Sequence, residues 1–253
     1  MEGLDPDTWR RLLRRCPDDA PLSPLYGPVI GPPISSDGCF VLGRIAQSLD
    51  GRIATVSGQS QWITGREDIE HTHRLRALSD AVVIGAGTVR ADDPQLTTRH
   101  VEGPSPVRVV IDTDRRLDDR YRVFGDGPET LLLCAADAPG PETHGRARTI
   151  RLPRAGRGLD IASLLRRLAA RGLRRILVEG GGVTLSRFLA AGGLDRLHVT
   201  VAPLLIGSGI PAFTLPDAPV LADGMRLDWA LHRVGSDILL DIPLGRARPA
   251  SCS

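Results

Sequence analysis

Cysteine is scarce in this chain, and none of it is arranged to build a site. Cys16, Cys39, Cys134 and Cys252 are scattered and none has C-x-x-C spacing, which argues for reduced thiols in a cytosolic protein rather than a disulfide or zinc framework. Long apolar runs are missing too: nothing approaches the roughly 18 consecutive residues of a membrane span. The start, Met1-Glu2-Gly3-Leu4-Asp5, lacks the basic and apolar regions of a signal peptide, so a cytoplasmic location is expected. Neither sign of charge dominates. The net charge of +2 gives no electrostatic case for nucleic acid, although arginine greatly outnumbers lysine. There is no G-x-x-x-x-G-K-[ST] loop and so no standard P-loop, and no G-x-S-x-G elbow of an α/β-hydrolase. The H-x-E and P-C-x-x-C pattern of zinc deaminases is absent as well. His71 and His73 stand two apart on an expected helix and point in different directions, so no shared metal is expected.

What remains is ordinary globular material, 253 residues with 42% hydrophobic and 25% charged, enough for one large α/β domain or two small ones. Residues 7–16 fit a short basic amphipathic helix with Trp9, Leu12 and Leu13 on one side. Pro17, Pro21, Pro24, Pro28, Pro32 and Pro33 follow, and predict an extended, poorly helical connector. We therefore divide the chain into a leader (1–36), a main domain (37–245) and a flexible tail (246–253). Strand-like segments fall at 39–46, 81–85, 107–112, 130–134, 174–178, 196–205 and 238–242, and helical patterns at 67–78, 159–171 and 184–191. This alternation predicts an α/β fold with a mostly parallel central sheet flanked by helices. Only Gly235 separates 226–234 from 236–242, which predicts a C-terminal antiparallel hairpin.

The most informative segment is Ile176-Leu177-Val178-Glu179-Gly180-Gly181-Gly182-Val183-Thr184-Leu185. It reads as a buried strand, a carboxylate, three glycines and the start of a helix. Glycines there let backbone N–H groups approach a ligand, and the helix start favours phosphate or pyrophosphate. Glu179 would sit at a strand's carboxyl end, where open α/β sheets bind ligands; alternatively the glycines only make a tight turn.

Four more segments carry chemistry. Asp50 lies in Ser48-Leu49-Asp50-Gly51, a strand turning through Asp-Gly. Trp62, in the polar loop Ser60–Thr64, is either a core anchor or a flat wall for an aromatic ring. Gly85-Ala86-Gly87-Thr88-Val89-Arg90 resembles a dinucleotide fingerprint, but Arg90 takes the third glycine's place, so a standard Rossmann assignment fails. Asp112-Thr113-Asp114-Arg115-Arg116 ends another strand, and either arginine could hold a 2′-phosphate, favouring NADP; an exposed polar loop is the plain alternative. Hydride transfer needs neither metal nor nucleophile from the protein, because a cofactor supplies the chemistry.

Taken in order, these segments, with Gln61-Trp62-Ile63-Thr64, His73-Arg74-Leu75-Arg76-Ala77, Asp92-Asp93-Pro94-Gln95-Leu96-Thr97 and Ala202-Pro203 followed by Gly207, resemble the NADPH-dependent reductase family of riboflavin biosynthesis, the phosphoribosylamino-uracil reductases, over roughly residues 40 to 243. The resemblance implies a dihydrofolate-reductase-like fold, a homodimer, and reduction of the ring-opened ribose of an aminopyrimidine phosphate by NADPH. It assigns the cofactor to Ala46, Trp62, Gly85, Gly87, Thr88, Asp92, Thr113, Gly181, Gly182, Val183, Thr184 and Leu185. It assigns the substrate to Ser60, Arg76, Leu96, Arg99 and Glu179, with Arg76 and Arg99 converging on the phosphate. Glu179 and, in a supporting role, Asp50 would serve catalysis. Two departures stand out. Bacterial members commonly have lysine where this chain has Arg44, which cannot readily exchange a proton, and many are fused to a deaminase. A pterin or dihydrofolate reductase, or a non-catalytic NADPH-binding protein, are the alternatives.

Overall fold

Aliphatic runs bounded by glycine, proline and aspartate become the strands of one ten-stranded sheet. The computed structural model describes residues 4–33 and 35–245. In chain order its elements are α1 (Pro6–Leu13), α2 (Gly27–Ile30), β1 (Phe40–Ser48), β2 (Arg52–Ala54), α3 (Arg66–Leu78), β3 (Ala81–Gly85), α4 (Ala86–Asp92), β4 (Val107–Ile111), β5 (Thr130–Ala135), β6 (Thr143–His144), β7 (Ala147–Leu152), β8 (Arg154–Ala155), β9 (Gly158–Leu159), α5 (Ile161–Ala169), β10 (Arg175–Glu179), α6 (Gly182–Ala190), β11 (Arg196–Ala202), β12 (Ile210–Pro211), β13 (Ala230–Val234) and β14 (Asp237–Pro243). The large sheet runs β13-β14-β11-β1-β10-β3-β4-β5-β7-β6. From β11 to β7 every neighbour is parallel. β13 and β14 form the expected antiparallel hairpin at one edge, and β6 turns back on β7 at the other. The expected fold class is the observed one.

Because side chains alternate across a strand, each strand feeds two cores. Val41, Val83, Val109, Ile176 and Val178 face α5 and α6. Helix α5 buries Ile161, Leu164, Leu165 and Leu168, a single helical stripe, and Asp160 caps it by accepting the Ser163 N–H at 2.7 Å. On the opposite face Phe40, Leu42, Val82, Ile84 and Leu177 meet Leu75 and Leu78 of α3. Each aliphatic side chain fully buried this way contributes about 1.5–3 kcal/mol.

The proline-rich connector is not extended. Residues 17–22 wind into a 3-10 helix and 27–30 into α2, with Pro17 and Pro28 in the opening turns, where a missing N–H costs nothing. Leu25, Tyr26, Val29 and Ile30 are buried with Trp9 and Leu12 of α1 in the α3-side core. The described part of 1–36 therefore shares a core with the main domain. The segment 246–253, expected to be a flexible tail, lies outside the described residues.

Helix α3 buries polar groups as well as leucines, among them His71 and His73. His71 Nδ1 meets the Tyr26 hydroxyl at 2.9 Å and its Nε2 lies 3.2 Å from His198 Nδ1. His73 faces the other way, its Nδ1 accepting the Arg99 N–H at 3.1 Å. Burial keeps all three imidazoles neutral: it pushes His71 and His198 below the ordinary range and, with Arg76 nearby, His73 to about 3. A histidine neutral in the fold takes up its proton on unfolding. Its contribution is therefore present above the ordinary value near 6.5 and is lost as pH falls below it. Each such group gives a slope of up to about 1.4 kcal/mol per pH unit. Urea midpoints are expected to fall steadily between about pH 7 and about pH 5, less steeply in His73→Gln; a constant midpoint would contradict this.

Candidate active site

The carboxyl ends of the neighbouring strands β1, β10, β3 and β4 open into one cavity of about 730 Å³. Three inter-strand steps of about 4.8 Å give it a floor roughly 14 Å long. At the β1 end it is lined by Arg44, Ala46, Ser60, Trp62 and Thr64, in the middle by Gly85, Gly87, Thr88, Asp92 and Gly180–Thr184, and at the β4 end by Asp112–Asp114 and Arg116. Of the positions assigned to a cofactor, all but Leu185 line this space; Leu185 is buried in the core, where it fills the place of a side chain at Gly43.

The glycine turn works differently from the simplest expectation. Gly180 has φ +110°, which favours glycine. A Cβ at Gly182 would overlap the Ala212 carbonyl, and one at Gly85 would overlap the Thr184 hydroxyl. These glycines let α4 and α6 start side by side; the Gly181 N–H donates to Thr88 Oγ1 at 2.8 Å. Gly87 alone in this group has open space around it. The opening turn of α6 lines the cavity, and unpaired first-turn N–H groups there suit an anion.

Trp62 is 80% exposed and has φ +66°. A bulky residue held in the left-handed region with its ring outside the core is not an anchor; it forms a wall of the cavity. Its loop is tied to α4 by the Ser60 hydroxyl, which donates to Asp92 Oδ1 at 2.9 Å. Beneath it lies a group that the sequence did not mark. Asp68 of α3 is fully buried and accepts from Thr64 Oγ1 and Thr200 Oγ1, both at 2.7 Å, and from Arg44 Nη2. Burial alone would raise its carboxyl, but Arg44 and the hydroxyls lower it overall. An aspartate in a first helical turn is ordinarily a solvated dipole partner, so nothing in the sequence announces this burial.

The substrate positions divide. Glu179 follows Leu177 onto the α3 face of β10 and receives the Arg76 guanidinium with both oxygens, at 2.7 and 2.6 Å; Arg76 also donates to the Thr97 carbonyl at 3.0 Å. Three of the five Arg76 N–H donors are thus used by protein groups, and Arg99 lies close enough to feel its charge. Arg99 remains exposed, its guanidinium donating to Gln95 Oε1 at 3.5 Å and Thr97 Oγ1 at 3.2 Å, and partial burial together with Arg76 and Arg122 lowers its pKa. Leu96 is buried with φ +54° and presents no side chain to the cavity. Asp50 clamps a turn. Its carboxylate accepts from Ser48 Oγ at 2.6 Å and the Gly207 N–H at 2.6 Å, bonds that hold its pKa down to about 2. Arg115 turns away to the Pro141 and Thr143 carbonyls, leaving Arg116 at the cavity.

Residues 40–237 match the family model described as the RibD C-terminal domain. The 2,5-diamino-6-ribosylamino-4(3H)-pyrimidinone 5′-phosphate reductase of Methanothermobacter thermautotrophicus is 35% identical over 80% of this chain and 96% of its own length. The riboflavin biosynthesis protein RibD of Escherichia coli is 33% identical over 80% of this chain, which spans only 59% of that protein. Among solved structures, the diaminohydroxyphosphoribosylaminopyrimidine deaminase/5-amino-6-(5-phosphoribosylamino)uracil reductase of Thermotoga maritima superposes with a TM-score of 0.67 at 30% identity, covering 81% of this chain and 56% of that one. On both the sequence match and the shared fold, the chain belongs to the RibD C-terminal domain family.

Proposed function

We propose that this protein is a pyrimidine 5′-phosphate reductase of riboflavin biosynthesis, converting a ribosylamino side chain to a ribitylamino one with NADPH. The observation that carries this reading is the single cavity across β1, β10, β3 and β4, which gathers nearly every position assigned to the cofactor. Its volume suits a dinucleotide, and the open space at Gly87 beside the first turn of α6 fits a pyrophosphate. Bound there, the reduced cofactor would supply the hydride. The Thr88 hydroxyl and the Gly182 and Val183 N–H groups would hold its phosphates, and Ala46 and Trp62 would bound its reactive end. Glu179, fixed by Arg76, would orient the polar groups of the substrate, and the exposed Arg99 would meet its phosphate. The chain contains no lysine, and Arg44 is held on Asp68, so water or a carboxyl group supplies the proton.

NADPH oxidation in the presence of 2,5-diamino-6-ribosylamino-4(3H)-pyrimidinone 5′-phosphate, 5-amino-6-(5-phosphoribosylamino)uracil or dihydrofolate tests the reading. Turnover with a phosphorylated pyrimidine and not with dihydrofolate is expected; the reverse would contradict it. The protein is further proposed to be a homodimer. Leu231 of the edge strand β13, Trp229 and Leu205 are each more than half exposed, apolar side chains of the kind a second copy would cover; light scattering should then give twice the 27.2 kDa chain mass. Among the described residues no helix is long and apolar enough to cross a membrane. The buried thiols of Cys39 and Cys134, neither of them in a disulfide, suit the reducing cytoplasm in which we place the enzyme.

A further inference from the structure

No described residue of the leader lines the cavity, yet the leader touches every segment that carries a charged substrate residue. The Trp9 ring is buried, and its Nε1 donates to the Glu102 carbonyl at 3.0 Å, in the loop that begins with Arg99. Gly103, next in the chain, has φ +142°, and a Cβ there would lie 2.6 Å from Ala77 Cβ and 3.0 Å from Leu13 Cδ2. The loop is thus pressed between α1 and the last turn of α3, beside Arg76. Just after α1, Arg15 donates to the Ala77 and Ser79 carbonyls, both at 3.1 Å, and to Asp80. Asp80 in turn accepts the Arg174 and Arg175 N–H groups at 3.0 and 2.8 Å, where β10 sets out toward Glu179.

From the other side His73 holds the same loop. Its Nδ1 accepts the Arg99 N–H at 3.1 Å, and its ring meets His100 edge-on with centroids 4.5 Å apart. Ser105 Oγ accepts the Thr98 N–H at 3.0 Å and closes the loop on itself. The backbone around Arg99 is therefore fixed while its guanidinium stays exposed. A cation carried on ordered backbone loses less freedom when an anion binds it. We propose that Trp9 is a positioning residue for the substrate's phosphate, holding the loop through the Glu102 carbonyl so that Arg99 meets the anion on backbone already in place. The inference rests on the assignment of Arg99 to that phosphate. Trp9 and Glu102 are 93 positions apart, and no spacing rule links them.

Trp9→Phe keeps an aromatic ring in the core and removes the N–H donor, so the fold should survive. The test is steady-state kinetics on the full chain, with the phosphorylated pyrimidine it turns over and with the same compound lacking its phosphate. Arg99→Ala and the double variant complete a cycle. Trp9→Phe is expected to raise KM for the phosphorylated substrate about three- to tenfold, the loss that one hydrogen bond represents. KM for the dephosphorylated compound and Kd for NADPH should stay within about twofold. With Arg99 already replaced by alanine, the Trp9 change should have no further effect on KM. Leu13→Ala, which opens the packing over Gly103, should act in the same direction. An unchanged KM in Trp9→Phe, an equal loss with both compounds, or an effect that persists without Arg99 would overturn the positioning role while the proposed function stands. If Arg99→Ala itself leaves KM unchanged, the phosphate assignment fails and the role of Trp9 with it. If the unmodified protein turns over no phosphorylated pyrimidine, the proposed function fails first.

Discussion

Glu179→Gln is expected to destabilise the protein by about 3 kcal/mol and to remove most of its turnover. The glutamate and Arg76 are nearly buried, with side-chain exposures of 9% and 11%, and they bond through both oxygens. Neutralising one partner leaves the other charged and desolvated, which costs far more than the net value of the pair. Glutamine preserves shape and one acceptor, so the fold should survive. The double change Arg76→Met with Glu179→Leu separates structure from chemistry: removing both charges should return most of the lost stability without restoring activity. Thermal unfolding and steady-state kinetics on the three variants check this. Wild-type stability in Glu179→Gln would mean that the pair is solvated in solution. Recovered turnover in the double variant would mean that the carboxylate does not act on the substrate.

Asp68→Ala should have a comparable effect by another route. It leaves Arg44 without a counter-ion at the cavity floor and the Thr64 and Thr200 hydroxyls without their acceptor. Loss of a buried partner costs about 3–5 kcal/mol, equivalent to a fall in Tm of roughly 10 °C for a domain of this size. Because Arg44 and Thr64 border the cavity, cofactor affinity should weaken as well. Asp68→Asn keeps one acceptor oxygen, its amide donating to the other hydroxyl, but not the charge, so it should fall between Asp68→Ala and the unmodified protein. A Tm within a degree or two of wild type for Asp68→Ala would show that Arg44 finds water or another partner at no cost.

These two groups mark where sequence reasoning reaches its limit. The strand, glycine turn and helix around Glu179 are legible because apolar run, turn residue and helical period all act locally. The terminal hairpin around Gly235 is legible for the same reason. Glu179 and Arg76, by contrast, are 103 positions apart, and only the stacking of α3 on β10 brings them together; spacing carries no sign of it. The connector departs from its expected extended form because prolines that break a helix interior are well tolerated in its first turn, and the buried Tyr26 and Ile30 that hold it are tertiary facts. Gly182 and Gly85 stand out in the sequence, yet the neighbours they make room for, Ala212 and Thr184, are protein rather than ligand.

The central claim is that a hydride passes from the reduced nicotinamide to the sugar carbon of a phosphorylated ribosylaminopyrimidine in this cavity. Its most direct test is a single turnover with NADPH deuterated at the transferable position of nicotinamide C4, followed by mass spectrometry and NMR of the pyrimidine product. The account predicts a ribitylamino product carrying one deuteron on the side-chain carbon bonded to the amine nitrogen. A product without deuterium, or with it on the pyrimidine ring, would contradict the account.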